Sequence, residues 1–502
     1  MKMLFVTPEF LFVFLPVVLV ITAFSLRFWG KSAAIAVLTV ASLFFYGWWK
    51  LSGLAIILVS VGVNYTIARQ IADEKDIRSR KVALGLGVAL NLLALCYFKY
   101  RNFFIDNVLE MFGETSGMAH IVPPLAISFY TFQQIAFLVD TYHGKMRRIL
   151  FSNYLISVVF FPHLIAGPLL HYRDIIQQFE ERFRISWATL ACGMPVFVMG
   201  MAKKLAIADP LSQVVNPLFT KAESQPLELF EAWAASLGYT AQLYFDFSGY
   251  SDMAIGLALM FGIVLPINFF SPYKSTSIIE FWRRWHITLS NFLRDYLYIP
   301  LGGGRAGAFR RYVNLMIVML LGGLWHGASW TFVLWGGLHG AMLVVNHLWR
   351  ATISPRLLVL NSIALPFYGV LTFLLVVVGW VLFRAESFAG ATNVLGGMFY
   401  PQAISLPWGV AFALGIDPAH WIFGDKGLSF PDLSVFLAFG SAAYLLVWFC
   451  PNTTEIFRLT RDPLNLATRR SIGGSIGIGA LFWLSLFGLF SAIPSEFLYF
   501  RF

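Results

Sequence analysis

Three short stretches carry polar side chains that an otherwise apolar chain has no packing reason to keep. GGLWHGASWTFVLWGGLHG (322–340) contains no Asp, Glu, Lys or Arg, yet holds His326 and His339. SIIEFWRRWHITLSNFLRDYLYIPLGGGR (277–305) gathers Arg283, Arg284, His286 and Arg294. LYFDFSGYSDMAIGLALMFG (243–262) places Asp246 and Asp252 in or at the end of an apolar run. Histidine is the ionisable group most easily kept in such surroundings, because it can stay neutral while retaining one basic nitrogen. Such a nitrogen can take a proton from a hydroxyl, which is the chemistry of a general base.

Each stretch also has a plainer reading. A lone histidine in an apolar helix is more often a satisfied core residue than a catalyst. On a continuous helix Ser329 and Trp330 share the face of His326, while His339 stands about 220° away and reads as packing. The small residues Gly322, Gly323, Gly327, Ala328 and Ser329 allow close helix contact or leave room for a substrate. In 277–305, Phe281, Trp285, Leu289, Phe292 and Tyr296 form one helical stripe, and Arg283, His286, Ser290 and Arg294 form a polar one. That pattern fits an interfacial anchor with a solvated His286, or the edge of a polar cavity with the histidine and arginines facing a charged ligand. Glu280 and Arg284 are spaced to pair. Asp246 at membrane depth needs a partner, and the arginines of 283–294 are the candidates. It reads as a structural lock or as a substrate contact, and Trp325 and Ser329 beside His326 are further candidate contacts.

The elements that must position these residues follow from composition. The chain has 502 residues, 58% hydrophobic and 12% charged. A soluble domain carries roughly 25% charged residues. With repeated apolar runs of about 20 residues, this is an all-α polytopic membrane protein. Clear spans are read at 9–26, 33–49, 51–66 and 82–98. Others lie near 150–170, 186–206, 229–264, 312–347 (two), 361–383, 433–450 and 475–493, eleven to twelve in all. No internal repeat separates domains, so 1–502 is read as one membrane domain with an extramembrane loop at 399–432.

The net charge of +10 sits in short clusters between spans: Arg69 to Lys81, Lys145 to Arg148, Lys203–Lys204, Arg305 to Arg311 and Arg461 to Arg470. Loops of this kind mark the cytoplasmic side and meet anionic lipid; they are not a nucleic-acid surface. The rule places the N-terminus outside. Cys96, Cys192 and Cys450 lie far apart in apolar stretches, read as small hydrophobes with no metal spacing among them. The first apolar run lacks a small-residue cleavage site and is read as a retained span. On polar residues alone a transporter remains an alternative, although no repeat of the transporter kind is visible.

The three stretches, with SFYTFQQIAFLVDTYHG, FFPHLIAGP, GWVLFRAESF, PNTTEIF and the C-terminal PSEFLYFRF, resemble the membrane-bound O-acyltransferase family. The likeness is to its bacterial branch, which includes alginate O-acetylation and D-alanyl transfer to teichoic acid, and it runs nearly end to end. The resemblance implies membrane helices, with interfacial and re-entrant pieces, around a central funnel or tunnel. It also implies two marked histidines, matched here by His286 in FWRRWH and His326 in LWHG, with His326 the usual active-site residue. No bound cofactor is implied. The donor is then a thioester, acetyl-CoA or an acyl carrier protein, reached from the cytoplasm, with Arg283, Arg284 and Arg294 positioning it. The acceptor is a hydroxyl of an exopolysaccharide such as alginate, with cellulose or peptidoglycan as alternatives. A periplasmic partner of SGNH-hydrolase type, within a polysaccharide secretion complex at the bacterial inner membrane, completes the transfer.

Overall fold

The computed structural model describes residues 3–114, 120–146, 149–305, 307–353, 364–401, 404–415, 417, 428–460, 472–491 and 495–498. The basic run 461–470, the end of the run at Arg148 and parts of the 399–432 loop fall outside them. Among the described residues, nine helices are long and apolar enough to cross a membrane, including Phe10–Phe28, Gly30–Gly47, Leu51–Asp73 and Ile77–Met111. The chain is an all-α, multi-pass membrane protein. The spans at 9–26, 33–49, 51–66 and 82–98 are therefore present; the first, third and fourth end later than hydropathy alone sets, and the second ends earlier, at Gly47.

Two further helices have the length but a more polar face: Leu229–Met260, of 32 residues, and Ala308–His326, of 19. The segment near 150–170 is no span. It forms Phe151–Val159 and Phe161–Leu164, parted at Phe160, where ψ of 109° leaves the helical region. Pro162 sits in the first turn of the second piece, where its missing N–H is harmless but would interrupt a continuous helix. Of the cysteines, only Cys192 is buried; Cys96 and Cys450 are exposed, and none of the three forms a disulfide.

The chain forms two compact units. The first comprises Met1–Gly200, Tyr250–Ile267 and Phe457–Leu481. Here Leu51–Asp73, Ile77–Leu95 and Ile127–Tyr142 are joined by a buried amide network. Asn64 and Asn91 exchange hydrogen bonds of 3.2 and 2.6 Å, and the Gln134 carbonyl accepts from Asn64 and from Ser60 Oγ at 2.7 Å. In lipid, side-chain amides of this kind hold helices together where apolar surface gives no driving force. Gly193 and Gly256 supply the tightest helix crossing in this unit. A Cβ on Gly193 would stand 2.3 Å from the Gly256 carbonyl oxygen, so no other residue fits without moving the backbone.

The second unit comprises Met201–Gly249, Asn268–Ile456 and Phe482–Phe502. Its centre is a hairpin of Ala308–His326 and Trp330–Thr352, flanked by Leu365–Arg384. The hairpin closes on glycine: a Cβ on Gly323 would lie 2.2 Å from the Phe332 carbonyl oxygen, and one on Gly336 would lie 2.3 Å from that of Met319. All three marked stretches contribute to this unit.

Candidate active site

The chain reaches the site through two interruptions that periodicity does not register. The stripe over 277–305 is not one helix: Ile278–Arg284 stops, and Ile287–Leu293 begins one residue beyond His286. His286 itself has φ of +43°, a left-handed conformation rare for a residue with a side chain. The break turns the imidazole away from the polar stripe and inward, to 0% exposure, so the solvated anchor reading of His286 is set aside. Phe281, Trp285 and Leu289 are buried, as their stripe requires.

The second interruption follows His326, which is the last residue of its helix. Gly327 is extended, and the Ser329 hydroxyl accepts from the Thr331 N–H at 3.3 Å, capping the next helix. Ser329 thus works at a helix start, where serine is favoured because it satisfies an otherwise unpaired N–H. It does not share a continuous helical face with His326. The turn also brings the second helix back past His326, so that the Trp335 ring lies 5.2 Å from His326 and 4.8 Å from His339. His339 is consequently one aromatic ring away from the site. It is fully buried among Trp282, Trp335 and Trp380, with no hydrogen-bond partner for either ring nitrogen among the described residues.

The two histidines that the resemblance marks, His286 and His326, converge. Their ring centroids are 6.5 Å apart, with planes inclined at 60°. Trp325 packs at 5.0 Å from His326 and 6.3 Å from His286, and Phe383 closes another side of His326 at 5.1 Å. Phe247 meets His286 edge-on at 4.9 Å. The result is two imidazoles in an aromatic enclosure that excludes bulk water.

One hydrogen bond sets the tautomer of His286. Its Nδ1 lies 3.1 Å from Asn268 Oδ1. That same oxygen accepts from the Thr288 backbone N–H at 3.3 Å and from the Thr288 hydroxyl at 3.0 Å. A backbone N–H can only donate, so the atom is the amide oxygen, and Nδ1 of His286 carries the hydrogen. Nε2 is then the nitrogen with the lone pair. Burial pushes the imidazolium form down to about 3, so His286 is neutral at any physiological pH. Asn268 lies outside the stretches that mark the site in the sequence; its one signal is an isolated amide in the apolar run LPINFF.

The remaining candidates divide. Arg284 pairs with Glu280 at 2.7 Å, as the spacing predicts, and Arg294 pairs with Asp295 at 2.7 Å. Arg283 is exposed and forms no ion pair among the described residues. Asp246 does not meet these arginines. Its partner is Lys204, at 2.6 Å, which also reaches Asp209 at 2.8 Å and Ser495 Oγ at 2.8 Å. The second Asp246 oxygen accepts the Leu498 N–H at 2.8 Å. Lys204, read from sequence as part of a topological cluster, is 4% exposed. This geometry is that of a structural lock, and the residue next to Asp246 is the Phe247 that backs His286.

Comparison with known proteins gives the class to which this polytopic helical chain belongs. Residues 145–383 match the membrane-bound O-acyltransferase family. The chain is 41% identical to the peptidoglycan O-acetyltransferase of Helicobacter pylori over 434 residues, covering 80% of this chain and 81% of that protein. It is 44% identical to the probable alginate O-acetylase of Pseudomonas aeruginosa, covering 79% and 75%. A more distant relative, at 28% over 47% of this chain and 59% of its own length, is the teichoic acid D-alanyltransferase of Streptococcus thermophilus. The chain belongs to the membrane-bound O-acyltransferase family and is an O-acyltransferase. That membership removes the transporter alternative.

Proposed function

We propose that the protein takes an acetyl group from acetyl-CoA on the cytoplasmic side of the bacterial inner membrane and delivers it to a hydroxyl of a periplasmic polysaccharide. The observation that carries this reading is the pairing of His286 and His326 in a dry aromatic enclosure. His326 Nε2 or Nδ1 accepts the acceptor hydroxyl's proton as the oxygen attacks the thioester carbonyl. The tetrahedral intermediate collapses with loss of the thiolate, which takes that proton and leaves as free CoA thiol. Positioned general-base catalysis supplies roughly 10²–10⁴-fold, and desolvation and orientation supply the rest. His286 is a neutral ring held in one tautomer, so its place is to position the reacting groups and not to carry charge. Arg283 is the arginine left to meet donor phosphates, since Arg284 and Arg294 hold carboxylates. Asp246 works through the lock and not through the substrate.

For the acceptor, the reading is an exopolysaccharide of the alginate type, supported by the relatives named as alginate O-acetylases. The Helicobacter relative favours peptidoglycan as a second reading at nearly the same identity. A periplasmic SGNH-type acetyltransferase finishes the transfer in either case, and the N-terminus lies in the periplasm. The test is transfer of radiolabelled acetyl from acetyl-CoA by the purified protein with its partner, for wild type and His326→Ala. Label should reach the polymer with wild type and fall by at least about 100-fold in the variant. Undiminished transfer by the variant overturns the assignment of His326.

A further inference from the structure

Away from the histidines, the second unit contains a cavity of about 860 Å³. It is open on one side and runs between Trp330–Thr352 and Leu365–Arg384, both of them candidate membrane spans. Its size falls within the range of about 300–1,000 Å³ seen for pockets that hold small molecules. Most of its lining is apolar, including Val345, Leu371 and Leu375, but one end is not. There Arg350 extends to Ser277 Oγ at 3.0 Å, and Asn346, one helical turn before it, buries its amide oxygen with no donor among the described residues.

The depth of that polar end follows from the helix. Arg350 lies 20 residues after Trp330, which at 1.5 Å per residue is about 30 Å, the thickness of a bilayer's hydrocarbon core. Arg350 lies in the last turn of this candidate span, the end that reaches toward the headgroups. Trp349 and Tyr368, whose rings meet at 6.4 Å, sit at the same end, where an interfacial aromatic belt is expected. The end is also strongly positive. The charges of Arg311, Arg350 and Arg283 all act on His347, one turn of helix from Arg350, and none of the three arginines pairs with a carboxylate among the described residues.

We propose that this groove is a binding site for an anionic phospholipid with a hydroxyl-bearing headgroup, of the phosphatidylglycerol kind. Its phosphodiester meets Arg350, a headgroup hydroxyl donates to the Asn346 amide oxygen, and one acyl chain lies along Val345, Leu371 and Leu375. The occupant is a lipid because both walls are membrane-facing helices, so the groove opens into the bilayer. It is anionic because the cation at its mouth has no counter-charge among the described residues, and it carries a hydroxyl because the buried acceptor has no donor among them. Arg350, Asn346, Val345, Leu371 and Leu375 have no part in the proposed acyl transfer, so the proposal does not depend on how that chemistry is read.

The test uses the full-length protein in nanodiscs of equimolar phosphatidylcholine and phosphatidylglycerol, with lipids retained after detergent extraction counted by native mass spectrometry. Wild type should keep one phosphatidylglycerol in preference to phosphatidylcholine by about fivefold, the factor that roughly one surface charge confers. Arg350→Gln should erase the preference while still retaining lipid, and Val345→Trp should abolish retention by filling the apolar trough. Equal retention of the two lipids by wild type, a wild-type preference in Arg350→Gln, or displacement of the lipid by free CoA would each overturn the proposal. The wild-type comparison stands even where a variant does not fold.

Discussion

Lys204→Met is the sharpest test of how the second unit holds its site. Lys204 is 4% exposed and lies between Asp246, 1% exposed on its side chain, and Asp209, 13% exposed. Ser495 Oγ accepts from the ammonium at 2.8 Å and donates to Asp209 at 2.5 Å. Methionine fills similar volume without the charge, so the variant leaves two carboxylates facing each other in an apolar interior. Breaking a buried pair by removing one partner destabilises by about 3–5 kcal/mol, because the remaining charge is neither solvated nor paired. With two acids left behind, the upper half of that range is expected. Adding Asp246→Asn removes the worse of the two stranded charges. The double variant should then be less destabilised than Lys204→Met alone, with a coupling of about 2 kcal/mol, a size usual for residues in direct contact. The measurement is unfolding free energy in mixed micelles for wild type, both single variants and the double variant. Hydrogen exchange at the Leu498 amide, which bonds Asp246, should rise in step. Acyl transfer should fall too, since Phe247, next to Asp246, backs His286 at 4.9 Å and Phe497 at 5.8 Å. A cost below about 1 kcal/mol for Lys204→Met, or a double variant as unstable as the single, would show that the cluster is not a charge-compensated lock.

Asn268→Leu removes the acceptor that fixes the His286 tautomer, and kcat should drop by up to about 100-fold with little change in donor KM; an equal rise in KM would place Asn268 in ground-state binding instead. His286 also gives a pH signature. Its unfolded pKa is about 6.5 and its buried one about 3, so between those values the unfolded chain binds the extra proton. Its contribution to stability is therefore complete above about pH 6.5 and is lost as pH falls, by up to about 1.4 kcal/mol per unit. Comparing unfolding at pH 7 and pH 5, His286→Gln should show a shallower loss than wild type; parallel slopes refute the burial argument. Gly323→Ala drives a methyl to 2.2 Å from the Phe332 carbonyl oxygen, a backbone atom that cannot rotate aside. It should destabilise by about 1–3 kcal/mol or more and should cut transfer through His326, three residues on; a variant as stable and active as wild type would contradict the close crossing.

What the sequence revealed and what it concealed divide along one physical line. Hydropathy reports solvent, so the membrane class and the starts of Phe10–Phe28 through Ile77–Met111 were legible to within several residues, while the ends of Leu51–Asp73 and Ile77–Met111 lay well beyond the apolar windows. Charge spacing reports local pairs, so Glu280 with Arg284 was legible as well. Long-range pairing was not: Lys204 looked like its neighbour Lys203, and nothing local distinguishes a buried lysine whose acids lie 5 and 42 residues away. Periodicity failed in a more telling way, because it assumes that the helix continues. Both marked histidines stand where it does not, His286 between two short helices and His326 at the end of one. A left-handed backbone at a residue with a side chain costs roughly 1–2 kcal/mol, which the fold accepts at His286. Had the 277–305 stripe continued unbroken, His286 would lie on its polar face with Arg283 and Arg294, exposed and freely titrating. Had 322–340 continued, Trp335 would project along the helix beyond His326 and could not fold back on its ring. The two interruptions thus create the dry imidazole pair, and the local rule is broken where the proposed chemistry needs a position that a regular helix does not offer.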